Sequence, residues 1–183
     1  MFLRFHLLPA FFVWSGLAML AQPIGADEWK EVSPDKAIFE FPLGKRTELV
    51  QQSTLKNVVE YSRWEIDGGG EAQFWTAYLR GQLIFVEQGD TLASYIKEIF
   101  PAASLGDESS KSLNELGQRD WRRFTVNGGE CVFMRQYRWD DDADISGNHI
   151  PLGKVRVIGF YCPREPISNL EIETLFDVIR LWG

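Results

Sequence analysis

The only two cysteines of the chain close a pair of strand-like runs, and this pairing constrains the fold more than any other feature. The runs cover residues 131–139 and 154–162 and are rich in the β-branched and aromatic residues that suit a pleated sheet. If they pair along their full length as a regular antiparallel hairpin, Cys131 lies opposite Cys162. Directly opposite residues can have Cα atoms about 4.5 Å apart, within reach of a disulfide. We therefore predict a Cys131–Cys162 disulfide; two buried free thiols are the alternative.

The same hairpin register predicts further contacts between the two strands. It places Phe133 opposite Phe160 and Trp139 opposite Lys154, and a cross-strand aromatic pair stabilises a sheet. A bulge in either strand would shift this register. Both faces of the 154–162 run are largely apolar, so we expect this strand to be central and covered on both sides.

The first 26 residues have the pattern of a signal peptide. Arg4 precedes an apolar core from Leu7 to Ala21, and small residues lead to an exit at Ala26. The apolar run of about 15 residues is shorter than the roughly 20 that a spanning helix needs, so we expect cleavage and no stable membrane span afterwards. The mature chain, residues 27–183, is predicted to be one globular domain, exported to the periplasm or secreted, where thiols become oxidised.

Charge and histidine content exclude several classes of function. The predicted cleavage removes one of the 19 basic residues and none of the 26 acidic ones, so the net charge changes from −7 to −8. An acidic surface offers no counter-charge to nucleic acid or anionic lipid, so neither is an expected partner. His149 is the only histidine after the leader, which excludes sites of two or more imidazoles and most zinc chemistry. No cofactor is expected.

Two further hairpins are predicted from glycine-rich turns between strand-like runs. Asp67–Gly70 separates the runs 58–66 and 71–79, and Asn127–Gly129 follows the run 121–126. Glycine supplies the positive φ that a tight turn requires. These patterns predict an antiparallel sheet built mainly from hairpins.

Two helices are predicted from their caps and their apolar spacing. The first runs from Asp90 or Thr91 to Phe100. The second begins at Ser168, which forms a capping box with Glu171. The apolar stripe of the second helix comprises Ile172, Leu175, Phe176, Ile179 and Trp182. This stripe is wide enough to dock the helix on the sheet.

The remaining segments give weaker local signals. Residues 37–41 alternate and are predicted as the first strand, ended by Pro42. Residues 102–118 are polar and are predicted as a mobile connector. The apolar residues 83–86 fit either a strand or the edge of a helix.

The acidic loop Asp140–Asp144 is a candidate for calcium binding, because alternate residues could present oxygen atoms to Ca²⁺. The EF-hand pattern fails, however, since Ile145 replaces the required glycine and Pro151 replaces the closing glutamate. We therefore predict a solvated hairpin loop and no metal site. Such a charge cluster also discourages edge pairing of the flanking strands.

Motifs for nucleophilic catalysis are absent or incomplete in the sequence. The contiguous Ser146-Gly147-Asn148-His149 spells the name of a hydrolase family whose members carry those residues in four separate blocks, so the match is uninformative. Nothing brings His149 together with Asp144 and a serine, and no Gly-x-Ser-x-Gly elbow exists. His149 is interpreted as a loop residue, and no catalytic residue is assigned.

Tryptophans suggest a platform for a sugar or a peptide, but core packing is the favoured interpretation. The six outside the leader are Trp29, Trp64, Trp75, Trp121, Trp139 and Trp182. Most of them fall in predicted strands or in the final helix, at positions compatible with a core.

The order of elements is similar to that of the Mog1/PsbP type of α/β/α sandwich. The similar features are a Phe-Glu-Phe-Pro strand at 39–42, hairpins, a mid-chain helix, more antiparallel strands and a terminal helix ending in Ile-Arg-Leu at 179–181. The resemblance implies a single α+β domain in which helices cover both faces of a mainly antiparallel sheet. Members of that family are small binding and assembly modules, often exported and rarely enzymes, so a non-catalytic role is implied. The 140–153 loop and the disulfide depart from the family pattern.

Three functions remain as hypotheses. The favoured one is an exported binding or assembly-accessory module, for which we expect a groove or patch for a protein or small-molecule partner. The second is an enzyme that uses carboxylates such as Asp67, Glu71 or Asp140 as acid and base, which expects two of them to converge in a pocket. The third is a structural envelope protein, which expects a flat apolar patch.

Overall fold

Ten strands and two helices make up the part of the chain that the computed structural model describes, which is residues 28–54, 57–79, 91–112, 117–139 and 153–181. The strands are β1 (Lys30–Glu31), β2 (Phe39–Glu40), β3 (Gly44–Ser53), β4 (Asn57–Ile66), β5 (Gly70–Leu79), β6 (Ser104–Ser112), β7 (Gly117–Val126), β8 (Gly129–Trp139), β9 (Gly153–Pro163) and β10 (Arg180–Leu181). The helices are α1 (Leu92–Ile99) and α2 (Asn169–Val178), and Pro34–Lys36 forms a 3₁₀ turn.

Eight of these strands form one antiparallel sheet in the order β1-β3-β4-β5-β9-β8-β7-β6. The strands β2 and β10 pair separately as a short antiparallel ribbon. The centre of the sheet is the contact between β5 and β9, which joins the earlier strands to the later hairpins. The two halves of the chain therefore share one continuous sheet.

The prediction of an α+β fold with α/β/α layers, and with it the fold implied by the Mog1/PsbP resemblance, is wrong. The chain is dominated by strands, and its two helices of 8 and 10 residues cover only part of the eight-stranded sheet, so the fold is mainly β. The strands β1, β3, β6 and β10 were not predicted, and the two long ones among them were missed because they are polar. Residues 104–112, predicted as a mobile connector, form the edge strand β6, and the ten-residue β3 was not predicted as a strand. Polar side chains are common where a strand borders solvent.

The helices lie on opposite faces of the sheet, here named the α1 face and the α2 face. The core under α2 contains Phe74 and Met134, whereas Phe133 and Phe160 lie in the core under α1. Side chains alternate along a strand, so β8 and β9 contribute to both cores. The prediction that the 154–162 strand is central and covered on both sides is confirmed.

Both helices begin with a capping box. For α1 only a cap at Asp90 or Thr91 was predicted, and for α2 the capping box itself was predicted. Thr91 caps α1 together with Ser94, and Ser168 caps α2 together with Glu171. The second helix ends earlier than predicted, at Val178, because the chain then turns into β10 and pairs with β2. Trp182, the last residue of the predicted stripe, lies outside the described residues.

The hairpin of β8 and β9 has the predicted register along most of its length. Phe133 lies opposite Phe160, and a disulfide joins Cys131 to Cys162 with their Cα atoms 4.2 Å apart. The register shifts at the far end, where Trp139 pairs with Gly153 instead of Lys154. A bulge at that position adds one residue to the β9 side.

Both predicted glycine turns are confirmed. The turn between β4 and β5 contains Gly68, Gly69 and Gly70, all with positive φ. In the turn between β7 and β8, Asn127 and Gly128 have φ of 53° and 79°. Positive φ at both central residues is the geometry of a tight hairpin turn, which explains the glycine and asparagine at these positions.

The predicted leader and residues 83–86 lie outside the described part of the chain. Among the described residues, no helix combines the length and the apolar character that crossing a membrane requires. The disulfide is consistent with an oxidising location.

Candidate functional site

A cleft of about 560 Å³ opens on the α2 face between the 3₁₀ turn, β2 and the strands β3 and β4. Its lining residues are Pro34, Asp35, Ala37, Glu40, Arg46 and Trp64. We call it the Arg46 cleft. Its size lies within the range of sites for small organic ligands, and its lining combines apolar groups with a few charged ones.

A buried carboxylate holds one wall of the Arg46 cleft in place. Glu60 on β4 has a fully buried side chain. Its carboxylate accepts hydrogen bonds from the backbone N–H groups of Ile38 and Phe39, at 2.7 and 3.2 Å. These bonds join the segment that enters β2 to strand β4 of the sheet. The contact is long-range, since Ile38 and Glu60 are 22 residues apart in the sequence.

Gln51 on β3 extends this network to the 3₁₀ turn. Its side-chain amide donates to Oε2 of Glu60 and to the carbonyl of Lys36, both at 2.8 Å. The turn carries Pro34 and Asp35, which line the cleft. One glutamine thus links the rim of the cleft to the buried carboxylate.

Arg46 is the cation of the cleft. Its guanidinium lies over the ring of Trp64, with Cζ 4.5 Å from the ring centroid, and Nη2 donates to the carbonyl of Phe39 at 2.6 Å. The two contacts fix the orientation of the guanidinium plane. Within the described part of the chain, no carboxylate lies within 4 Å of this group, and its Nε is buried without an acceptor. Burial lowers the pKa of Arg46, while Glu60 and Glu40 raise it through longer-range charge interactions.

Trp64 forms the floor beside Arg46 and is itself held by the core. Its Nε1 donates to the hydroxyl of Ser62 at 3.1 Å, and the rings of Phe39 and Phe41 pack edge-on against it. The indole is therefore a fixed surface on which the guanidinium rests.

A bulge in β3 brings Arg46 and Gln51 to the same face of the sheet. Side chains five residues apart on a regular strand point to opposite faces, since the period is two. Between Arg46 and Glu48 the pairing with β4 shifts by one residue, after which Gln51 pairs with Glu60. The extra residue, Thr47, reverses the alternation and so assembles the network.

The carboxylates proposed from the sequence as an acid and base are not part of this cleft. Glu71 forms an ion pair with Arg63 at 2.9 Å on the α1 face, and Asp67 is exposed in the turn after β4. Asp140 lies outside the described residues, as do the 140–144 loop and the segment 146–149. Across the described ranges, no group of three or more His, Cys, Asp or Glu side chains could hold a metal ion.

Two of the described tryptophans belong to the core under α2. Trp64 and Trp121 are buried, and Nε1 of Trp121 donates to Glu173 on α2 at 2.6 Å. Trp75 is half-buried on the α1 face beside Tyr61, and their ring planes are tilted by 47°. The two rings therefore do not form one continuous flat surface. Burial raises the pKa of Tyr61 to about 12, so its hydroxyl stays protonated at neutral pH.

Exposed apolar side chains are dispersed over the described surface. The large ones are Leu105, Leu170 and Val178. Leu105 belongs to β6, and the other two lie near opposite ends of α2. The flat apolar patch expected of a structural envelope protein is not formed by these residues.

The Glu60→Gln substitution is expected to cost less stability as the pH rises. Burial is the largest influence on the Glu60 carboxylate and raises its pKa above the ordinary 4.5, while hydrogen bonds from Ile38, Gln51 and Phe39 and the charge of Arg46 lower it by less. A raised pKa means that the folded protein holds this proton more tightly than the unfolded chain does. The contribution of Glu60 to stability is therefore full below 4.5 and is lost as the pH rises through the folded value.

Glutamine does not titrate, so the difference in unfolding free energy between wild type and variant should shrink with rising pH. Urea unfolding at steps between about pH 4 and 8 measures this difference. Glu65→Gln, at an exposed position of the same strand, is the control. A difference that grows with pH would show that the hydrogen bonds outweigh burial.

Comparison of the chain with protein-family models, with curated proteins and with solved structures finds no match. Its function is therefore inferred from its own residues and their geometry.

Proposed function

We propose that this protein is an exported, non-catalytic binding module that receives its ligand in the Arg46 cleft. The observation that carries the proposal is the guanidinium of Arg46, which is held in one orientation by Trp64 and the Phe39 carbonyl without a carboxylate partner among the described residues. Buried or half-buried charges in proteins are usually paired. A ligand that brings an anionic group would complete this site.

Preorganisation of the cleft supports a binding role. The wall formed by the segment before β2 is held by Glu60, the 3₁₀ turn is held by Gln51, and Trp64 is held by the core. A ligand that enters such a cleft does not have to order these groups. Binding energy is then not consumed by rearranging the protein.

Neither the buried carboxylate beside the cleft nor Glu71, which the sequence suggested as an acid or base, is placed for catalysis there. Glu60 is enclosed and hydrogen-bonded to backbone N–H groups, so its oxygens do not face the cleft as a base would. Glu71 is ion-paired on the opposite face of the sheet. Export is supported by the pattern of the first 26 residues and by the oxidised pair Cys131–Cys162.

The test is a titration of the protein with leucine and with N-acetyl-leucine, followed by nuclear magnetic resonance. Both probes carry a carboxylate and an apolar side chain. We expect saturable shifts of the indole N–H of Trp64 and of nearby backbone amides. Arg46→Gln should weaken binding at least about tenfold, the scale of a lost charge-assisted hydrogen bond.

Lys45→Gln is the matched control. It removes the same unit charge from the neighbouring residue, which is exposed and does not line the cleft. Its affinity should equal that of the wild type. Arg46→Lys keeps the positive charge but lacks the planar guanidinium with its several donors. If Arg46→Gln does not fold, the affinity of Arg46→Lys is compared with that of the wild type instead. The proposal is overturned if none of leucine, N-acetyl-leucine and the dipeptide Leu-Leu binds, or if Arg46 substitutions leave their binding unchanged. Arg46 would then be a residue that holds Trp64 and Phe39.

A further inference from the structure

We propose that the ligand of the Arg46 cleft is a zwitterion with an amine and a carboxylate, which is the chemistry of a free amino acid or a short peptide. This inference rests on the proposed function, since it assigns the ligand of the same site. It follows from the two carboxylates that share the cleft with Arg46.

Glu40 is the first of these carboxylates. It follows Phe39 in β2, and because neighbouring side chains of a strand point in opposite directions, Phe39 enters the core while Glu40 lines the cleft. Glu40 is half-buried, and no hydrogen bond or ion pair joins its side chain to another described residue. It interacts with Arg46 only at longer range through its charge.

Asp35 is the second carboxylate, and it lies on the rim. It belongs to the 3₁₀ turn, is exposed, and accepts a hydrogen bond from the hydroxyl of Ser33. The turn is fixed by the bond from Gln51 to Lys36. Both carboxylates are thus carried by segments that the network under the cleft holds in place.

The balance of charge in the cleft favours a ligand with both signs. The lining carries one cation, Arg46, and two anions, Asp35 and Glu40. A simple anion would pair with Arg46 but would be repelled by Glu40. A simple cation would be attracted by Glu40 but repelled by Arg46. The net charge of the whole chain, −7, also opposes the approach of anions. A zwitterion satisfies the groups of both signs and carries no net charge.

The remaining lining selects an apolar side chain. Pro34, Ala37 and Trp64 present apolar surface between the charged groups. Apolar walls with a few placed polar groups are typical of small-molecule sites. Leucine and the dipeptide Leu-Leu are therefore suitable probes.

The experiment compares four probes by calorimetric titration of the full mature chain. Leucine and Leu-Leu carry both charges, N-acetyl-leucine lacks the amine charge, and leucine amide lacks the carboxylate. We expect at least one of the two zwitterions to bind about tenfold or more tightly than both single-charge probes. The tighter of the two identifies the source as a free amino acid or a peptide.

Variants then assign the two halves of the ligand. Glu40→Gln should reduce the preference for the zwitterion over N-acetyl-leucine to near unity, while Arg46→Gln should weaken both probes. Glu65→Gln removes an exposed carboxylate that does not line the cleft and should leave the preference unchanged.

Two outcomes separate this inference from the function on which it rests. If N-acetyl-leucine binds as tightly as the zwitterions and still requires Arg46, the zwitterion is wrong and the anion-binding cleft stands. If no probe shows binding that depends on Arg46, both proposals are wrong.

Discussion

Replacing Arg135 by methionine is expected to lower the free energy of unfolding by about 3–5 kcal/mol. Arg135 on β8 and Asp120 on β7 form a buried ion pair, with exposed fractions of 7% and 3%. Nη2 and Nε of the arginine donate to the same carboxylate oxygen at 2.6 and 2.8 Å. Methionine keeps the volume of the stem but leaves the carboxylate buried without its counter-charge.

The other oxygen of Asp120 links this ion pair to the edge strand β6. It accepts hydrogen bonds from Ser110 on β6 and from Gln118, at 2.5 and 2.9 Å. The carboxylate thus ties the edge strand to β7 and β8. Without Arg135 the Asp120 carboxylate lacks its counter-charge, and the same carboxylate holds β6 through Ser110. We therefore expect β6 to be the first strand to lose protection in hydrogen exchange.

Two further variants decide whether burial is the reason for the cost. Arg122→Met breaks the ion pair between Arg122 on β7 and the exposed Glu108 on β6 and should cost about 1 kcal/mol or less. The double variant Asp120→Leu/Arg135→Met should recover much of the loss, because an apolar pair can replace a buried ion pair at little cost. Urea unfolding measures all three. Equal costs for Arg135→Met and Arg122→Met would contradict the explanation.

Removal of the disulfide by Cys131→Ala/Cys162→Ala is expected to cost about 3–4 kcal/mol in the chain-entropy model. The two cysteines are 31 residues apart, and the bond limits the freedom of the unfolded chain over that loop. The strands β8 and β9 remain paired by their own hydrogen bonds, so the variant should melt at a lower temperature without loss of the fold.

The bond is expected to be structural and not redox-active. Cys131 has an exposed fraction of 2% and lies in the core under α1 with Phe124 and Phe133. Burial in such apolar surroundings disfavours the thiolate form of a cysteine. Alkylation of the denatured, unreduced protein with a mass tag should add no mass, and alkylation after reduction should add two tags. Two tags on the unreduced protein would contradict the disulfide.

The local sequence was sufficient for the hairpins and the helix starts. The turns at 67–70 and 127–129 need positive φ, and glycine and asparagine supply it without strain. The capping boxes at Thr91 and Ser168 satisfy orphan N–H groups within the same helix turn. Each of these turns and caps depends on residues a few positions apart. The local sequence is therefore enough to predict it.

The candidate site was not predictable in the same way. Alternation along β4 places Glu60 in the same row as Trp64 and Ile66, which was the available signal for its burial. The other row of β4, with Tyr61 and Arg63, is also mixed in character, so the pattern alone does not say which row faces the core. Glutamate side chains are mostly exposed in proteins, so the sequence does not predict that Glu60 is buried.

The sequence by itself determined the three hairpins β4–β5, β7–β8 and β8–β9 and, through the register of the last one, the disulfide between Cys131 and Cys162. Only the tertiary structure decided that residues 104–112 form an edge strand and that a bulge at Thr47 turns Arg46 towards the α2 face. The physical reason is the range of the interactions. Turns and caps are satisfied within a few residues, whereas an edge strand needs β7 beside it, and the cleft needs a carboxylate that bonds to a backbone 22 residues away.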